Sequence, residues 1–98
     1  MKHLLAAALE GGSNYWYKEA KPRGRIHKDF YDDAFDTALC LTVDVSEYQL
    51  TMKDFDDGLF EVERRYPMIY KRIVDGTYDA KDADVWLQLT VFNEVLYG

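Results

Sequence analysis

The residues with the most chemical content lie close together, where Tyr15, Trp16 and Tyr17 are followed by Lys21, Arg23 and Arg25. Rings with polar tips anchor partners or stack on bases, and guanidinium groups hydrogen-bond carboxylate or phosphate in a fixed fork, with lysine adding a point charge. The chemistry of such a set is recognition: docking an acidic partner, or neutralising phosphate while Tyr15 or Trp16 stacks on a base. These six residues are the candidate partner- or ligand-binding set. The competing reading is packing. In an extended segment side chains alternate, so Trp16 would take one face and the two tyrosines the other, leaving one face for the core.

Charge sharpens the picture. The chain carries 18 acidic and 12 basic residues, for a formal net charge of −6. The stretch 18–28 runs the other way, with Lys18, Lys21, Arg23, Arg25 and Lys28 against Glu19 alone. An acidic body disfavours general nucleic-acid binding, whereas a local basic loop suits a phosphate, an acidic protein or the acidic surface of another copy.

Catalytic and metal signatures are missing. No phosphate-cradling GxxxxGK[ST], HExxH or GxSxG run occurs, and Gly11-Gly12-Ser13 follows a helix instead of opening one. His3 and His27 lie far apart without cysteine or acidic residues at ligand spacing, and both read as surface or packed histidines. The aspartates at 32, 33 and 36 and at 79, 82 and 84 read as solvated helix starts favoured by the helix dipole. The expectation is therefore a non-enzyme with no cofactor and no metal. Cys40 is the single cysteine, within the apolar run ALCLTV, and reads as a small buried hydrophobe.

The elements that must position the candidate set follow from pattern. Residues 2 to 10 read as a short Leu/Ala helix, with Gly11 and Gly12 closing it through a left-handed cap and a turn, then Ser13 and Asn14. Residues 18–28, with Pro22 and Gly24, read as a mobile basic surface loop. Asp29 caps a helical turn toward Ala38; Leu39 to Val43 and Tyr48 to Leu50 are β-prone and close a hairpin across Asp44 to Glu47.

Thr51 and Asp54 form a capping pair, after which Met52, Phe55, Leu59, Val62 and Tyr66 mark one helix face. Gly58 weakens this helix and marks a close approach, and Pro67 begins or bends a helical turn. Asp79 and Asp82 repeat the capping pattern before a final helical segment reaching toward Gly98. Its apolar residues surround the helix, which fits either central burial or a subunit interface.

The expected fold is α+β: one domain over 1–98, with a short antiparallel hairpin or small sheet against three to four helices. A chain this small buries only about 60–65% of its extended surface, so a homo-oligomer is expected. The apolar run Leu4 to Leu9 is too short for an export signal or a membrane span, and the location expected by default is the cytoplasm of a bacterial cell, without membrane contact.

Two segments carry a resemblance. ALEGGSNYW at 8–16 and DGTYDAKDADVWLQLTVFNEVLYG at 75–98 make up roughly a third of the chain. Their motifs are Leu9-Glu10-Gly11-Gly12, Asn14-Tyr15-Trp16 and Glu94-Val95-Leu96-Tyr97-Gly98. With these motifs the chain resembles a family of small uncharacterised bacteriophage and prophage proteins. The resemblance implies a phage-borne accessory protein that binds and inhibits or redirects a bacterial host or defence protein. A binder sequestering a nucleotide-like signal, or a structural, self-assembling phage component, are the alternatives. The basic loop has no counterpart in the family motif.

Overall fold

A computed structural model describes residues 1–98 and shows an α+β domain of five α-helices and a three-stranded antiparallel sheet. The sheet is built on Leu39–Val43 (β2), which pairs with Glu19–Pro22 (β1) on one side and Ser46–Leu50 (β3) on the other. Alternation sorts its faces. Leu39, Leu41 and Val43 of β2 point inward with Ala20 of β1 and Tyr48 and Leu50 of β3, while Glu19, Lys21, Glu47 and Gln49 point out. The β2–β3 hairpin closes through Asp44 and Val45, and Asp44 adopts the left-handed φ of 57° that aspartate tolerates and a β-branched residue resists.

β1 corrects the reading of 18–28 as one surface loop: its first part is an edge strand. Pro22, which has no N–H to donate, is tolerated there because it ends the strand at the sheet edge.

The helices follow their caps. Phe30–Asp36 (α2) starts at Asp29, whose carboxylate accepts the N–H of Tyr31 at 3.0 Å. In Met52–Arg65 (α3), the Asp54 carboxylate takes the N–H of Thr51 at 2.8 Å. Pro67 opens Pro67–Asp75 (α4), and Gly76 ends it at φ 76°. Asp79 and Asp82 form the reciprocal capping box of Ala80–Phe92 (α5).

Helix α5 is the axis of the core. Ala83, Trp86, Leu87 and Leu89 are buried, and Trp86 stacks obliquely on Phe55 of α3 with ring centroids 5.5 Å apart. A β-carbon on Gly58 would lie 2.0 Å from the Thr90 hydroxyl oxygen, so glycine is what lets α3 and α5 close together. Burial within one chain accounts for Ala83, Trp86, Leu87 and Leu89, while Val85, Val91 and Phe92 stay half-buried.

The chain's ends depart from the pattern. Lys2–Ala7 (α1) widens into a turn of π-helix over Ala8–Gly12, and neither Gly11 nor Gly12 has positive φ. The left-handed cap expected there is absent. Gly12 is required because a β-carbon would sit 1.9 Å from the carbonyl oxygen of Ala80, where the first helical segment crosses the start of α5. At the other end, α5 stops at Phe92. Asn93 turns the chain with φ 59°, and residues 94–98 fold back instead of extending the helix.

Candidate functional site

Residues 13–17 form a turn, with the Trp16 N–H donating to the Ser13 carbonyl at 3.1 Å, so strand alternation does not govern the aromatic run. Its side chains instead sort around Asp84, which α5 presents on the face crossed by Gly12. Oδ1 of Asp84 accepts from the Ser13 hydroxyl at 2.8 Å and from Trp16 Nε1 at 2.7 Å. Oδ2 accepts from the Tyr15 hydroxyl at 2.9 Å and from Gln88 Nε2 at 3.1 Å.

A carboxylate offers about four lone-pair sites, and here each oxygen already takes two donors. Asp84 is thereby a structural acceptor with no free site for proton transfer from a substrate. The Tyr15 hydroxyl is held above its ordinary pKa, first by desolvation and then by donating to Asp84.

Gln88 extends the network into the tail. Its Oε1 accepts from the N–H groups of Leu96 and Tyr97, each at 2.8 Å, while Nε2 also donates to the Tyr97 carbonyl. The Tyr97 ring then lies parallel to Trp16, centroids 5.8 Å apart. Residues 8–16 and the C-terminal segment from Ala80 are therefore one packed unit, joined through Asp84, Gln88 and the Trp16–Tyr97 stack.

The six expected binding residues separate accordingly. Trp16 is only 7% exposed and is spent on the core, which corrects its assignment as an exposed contact anchor. Tyr15 keeps 56% exposure while its hydroxyl is tied to Asp84. Tyr17 is half-buried; its hydroxyl donates to the Leu9 carbonyl at 2.5 Å, and burial raises its pKa. It lines a groove with Phe30 and Tyr31, and the Tyr31 hydroxyl, bonded to Glu10, is pushed well up by desolvation and that carboxylate. Lys21 lies on the outer sheet face, 3.5 Å from Glu19.

Arg23 and Arg25 are exposed and make no ion pair, and the same holds for Lys28. The backbone around them is nonetheless hydrogen-bonded at several points. The N–H of Arg23 donates to the Ala38 carbonyl at 2.8 Å and that of Gly24 to the Thr37 hydroxyl at 3.0 Å. Buried Asp33 receives the N–H groups of Ile26 and His27 at 2.9 and 2.6 Å on one carboxylate oxygen.

His27 Nε2 then meets Asp36 at 2.5 Å, and this contact raises the histidine pKa. The loop is thus held by the backbone at Arg23, Gly24, Ile26 and His27. Between it and α2 lies a cleft of about 360 Å³ lined by Pro22, Arg25, His27, Lys28, Phe30 and Asp33.

Sequence reasoning missed Asp33, His27, Ser13 and Asp84 as organising residues. For Asp33 and Asp84 the signal was weak: each sits among other aspartates that do cap helices. No group of three or more His, Cys, Asp or Glu side chains is arranged to hold a metal ion, and no helix is long and apolar enough to cross a membrane. No family model, curated protein or solved structure matches the chain.

Proposed function

We propose that this protein is a phage-borne accessory factor that binds, and thereby inhibits or redirects, a bacterial host or defence protein, with Arg23, Arg25 and Lys28 as its contact surface. One observation carries the contact assignment. Three cations without ion-pair partners project from a backbone held by Ala38, Thr37 and Asp33, on a chain whose net charge is −6. Isolated surface charges gain little from the chain's own acids, and a pinned backbone lowers the ordering cost of meeting an acidic partner. Tyr17 lines a separate groove that shares Phe30 with the cleft beside these cations. The phage origin rests on the resemblance of the end segments.

The test is capture from bacterial lysate followed by reconstitution with the purified partner. Binding should weaken with added salt, and the triple variant R23A/R25A/K28A should lose at least about tenfold in affinity. A partner that binds the triple variant as tightly as the parent overturns the assignment.

A nucleotide-like ligand is the second reading, favoured by the Arg25–His27–Lys28 cleft with the Phe30 ring at its wall. Asp33 in the same lining counts against it, because a carboxylate repels phosphate. Absorbance near 260 nm that survives desalting would move this reading to first place.

A further inference from the structure

We infer that two copies of this chain pair through β3, antiparallel and centred on Tyr48, to form a continuous six-stranded sheet. The two edges of the sheet are unequal. The β1 edge is blunted by Pro22, by the charges of Lys18 and Lys21, and by α2 packing against it. β3, Ser46-Glu47-Tyr48-Gln49-Leu50, carries no proline and no lysine.

Across a two-residue turn the flanking residues, Val43 and Ser46, form a hydrogen-bonded pair. Ser46, Tyr48 and Leu50 therefore direct their main-chain groups to β2, and Glu47 and Gln49 direct theirs outward. No turn, loop or cap hydrogen bond ends on those outward groups.

A second copy fits this edge in one register. Hydrogen-bond phase allows pairing centred on Glu47, Tyr48 or Gln49. Centring on Glu47 sets it against Glu47 of the partner subunit, a like-charge pair. Centring on Gln49 pairs Glu47 with Thr51 of the partner subunit, where the strand has already given way to α3. Centring on Tyr48 uses all five residues and places Glu47 opposite Gln49 of the partner subunit, twice by symmetry.

Apolar surface adjoins the edge. The Tyr48 ring meets Phe92 edge-on at 5.6 Å, and Phe92 leads at 5.9 Å to Tyr97 of the tail, where Leu96 is 54% exposed.

The test is sedimentation velocity of the full chain over a dilution series, with substitutions at the exposed position 49. The parent protein should sediment at twice its 11.5 kDa chain mass at the upper concentrations. Q49K sets lysine opposite Glu47 of the partner subunit and should tighten the dimer, whereas Q49E should loosen it, each by about two- to thirtyfold. Q49P, which removes an outward N–H, should give monomer with an unchanged far-ultraviolet circular dichroism spectrum.

A parent that stays monomeric at every concentration overturns the inference and leaves the edge to a foreign strand. So does open-ended growth, or a dimer that responds equally to Q49K and Q49E. Should Q49P fail to fold, the opposite responses of Q49K and Q49E decide the register on their own.

Discussion

Trp16 and Asp84 are 68 residues apart in sequence, yet the indole Nε1 donates to the buried carboxylate at 2.7 Å. Around that bond the first and last segments of the chain become a single structure. Ser13, Tyr15 and Gln88 converge on the same carboxylate, and Gly12 lets the backbone come near enough for them to reach it. An isolated buried charge is costly, but one that accepts from four donors is compensated in place.

Removing the acceptor should therefore cost more than removing its charge. D84A leaves the Ser13 hydroxyl and the Trp16 N–H buried without a partner and should destabilise the fold by about 2–5 kcal/mol. D84N keeps an oxygen for both and should lose less, although its amide faces the Gln88 Nε2 donor. Urea unfolding followed by tryptophan fluorescence reads both values. Equal losses in the two variants would mean that charge, and not acceptor count, matters at this site.

The adjacent glycines should respond very differently to alanine. A β-carbon on Gly11 would meet only the Ala80 side chain at 3.5 Å, an ordinary contact, whereas on Gly12 it would collide with backbone at 1.9 Å. G11A should be neutral or stabilising by up to about 1 kcal/mol through reduced freedom of the unfolded chain. G12A should be strongly destabilising, since the crossing of the π-helical turn over α5 must open. Thermal unfolding of the two variants checks the contrast.

The contrast also marks where the sequence was readable. Caps at Asp29, Thr51 and Asp79, the hairpin around Asp44 and the close approach at Gly58 were legible because each depends on a few neighbouring residues or on side-chain periodicity. Gly12 looked like a helix stop because the Ala80 carbonyl that demands glycine lies far along the chain. Trp16 looked available for binding for the same reason, its acceptor being Asp84. The Arg23 to Lys28 cluster could be read as basic, but not as pinned, since Asp33 gave no sign that it would receive two backbone N–H groups.

Acid should expose the attachment of α4. That helix has no fully buried residue, and Arg72 fastens it to α5 through paired bonds to Asp82 at 2.7 and 2.8 Å. The Arg72 guanidinium holds the Asp82 carboxyl below its ordinary pKa, opposed by desolvation. A carboxyl whose folded pKa is depressed contributes stability above its unfolded value and loses it as pH falls through the folded value. The stability gap between the parent and R72A should thus be full near about pH 5 and shrink toward about pH 2. Urea midpoints across that range measure it, and a gap independent of pH would assign the arginine's effect to packing alone.

Gln88 should prove irreplaceable even by glutamate. Its oxygen accepts the Leu96 and Tyr97 N–H groups and its nitrogen donates to Asp84, so both ends of the amide are committed. Q88E preserves the acceptor for the tail but sets a second carboxylate against Asp84 where a donor is needed, in a fully buried position. Q88L removes the polar end altogether and leaves the two tail N–H groups free to reach solvent. Amide exchange at Leu96 and Tyr97 should be fast in Q88L. In Q88E those amides should be protected, relative to their intrinsic exchange rate, at low pH, where the added carboxyl is protonated and can donate to Asp84, and lose that protection at neutral pH, where it cannot. Protection in Q88E that does not change with pH would show that the tail is held by the Trp16–Tyr97 stack and not by the amide.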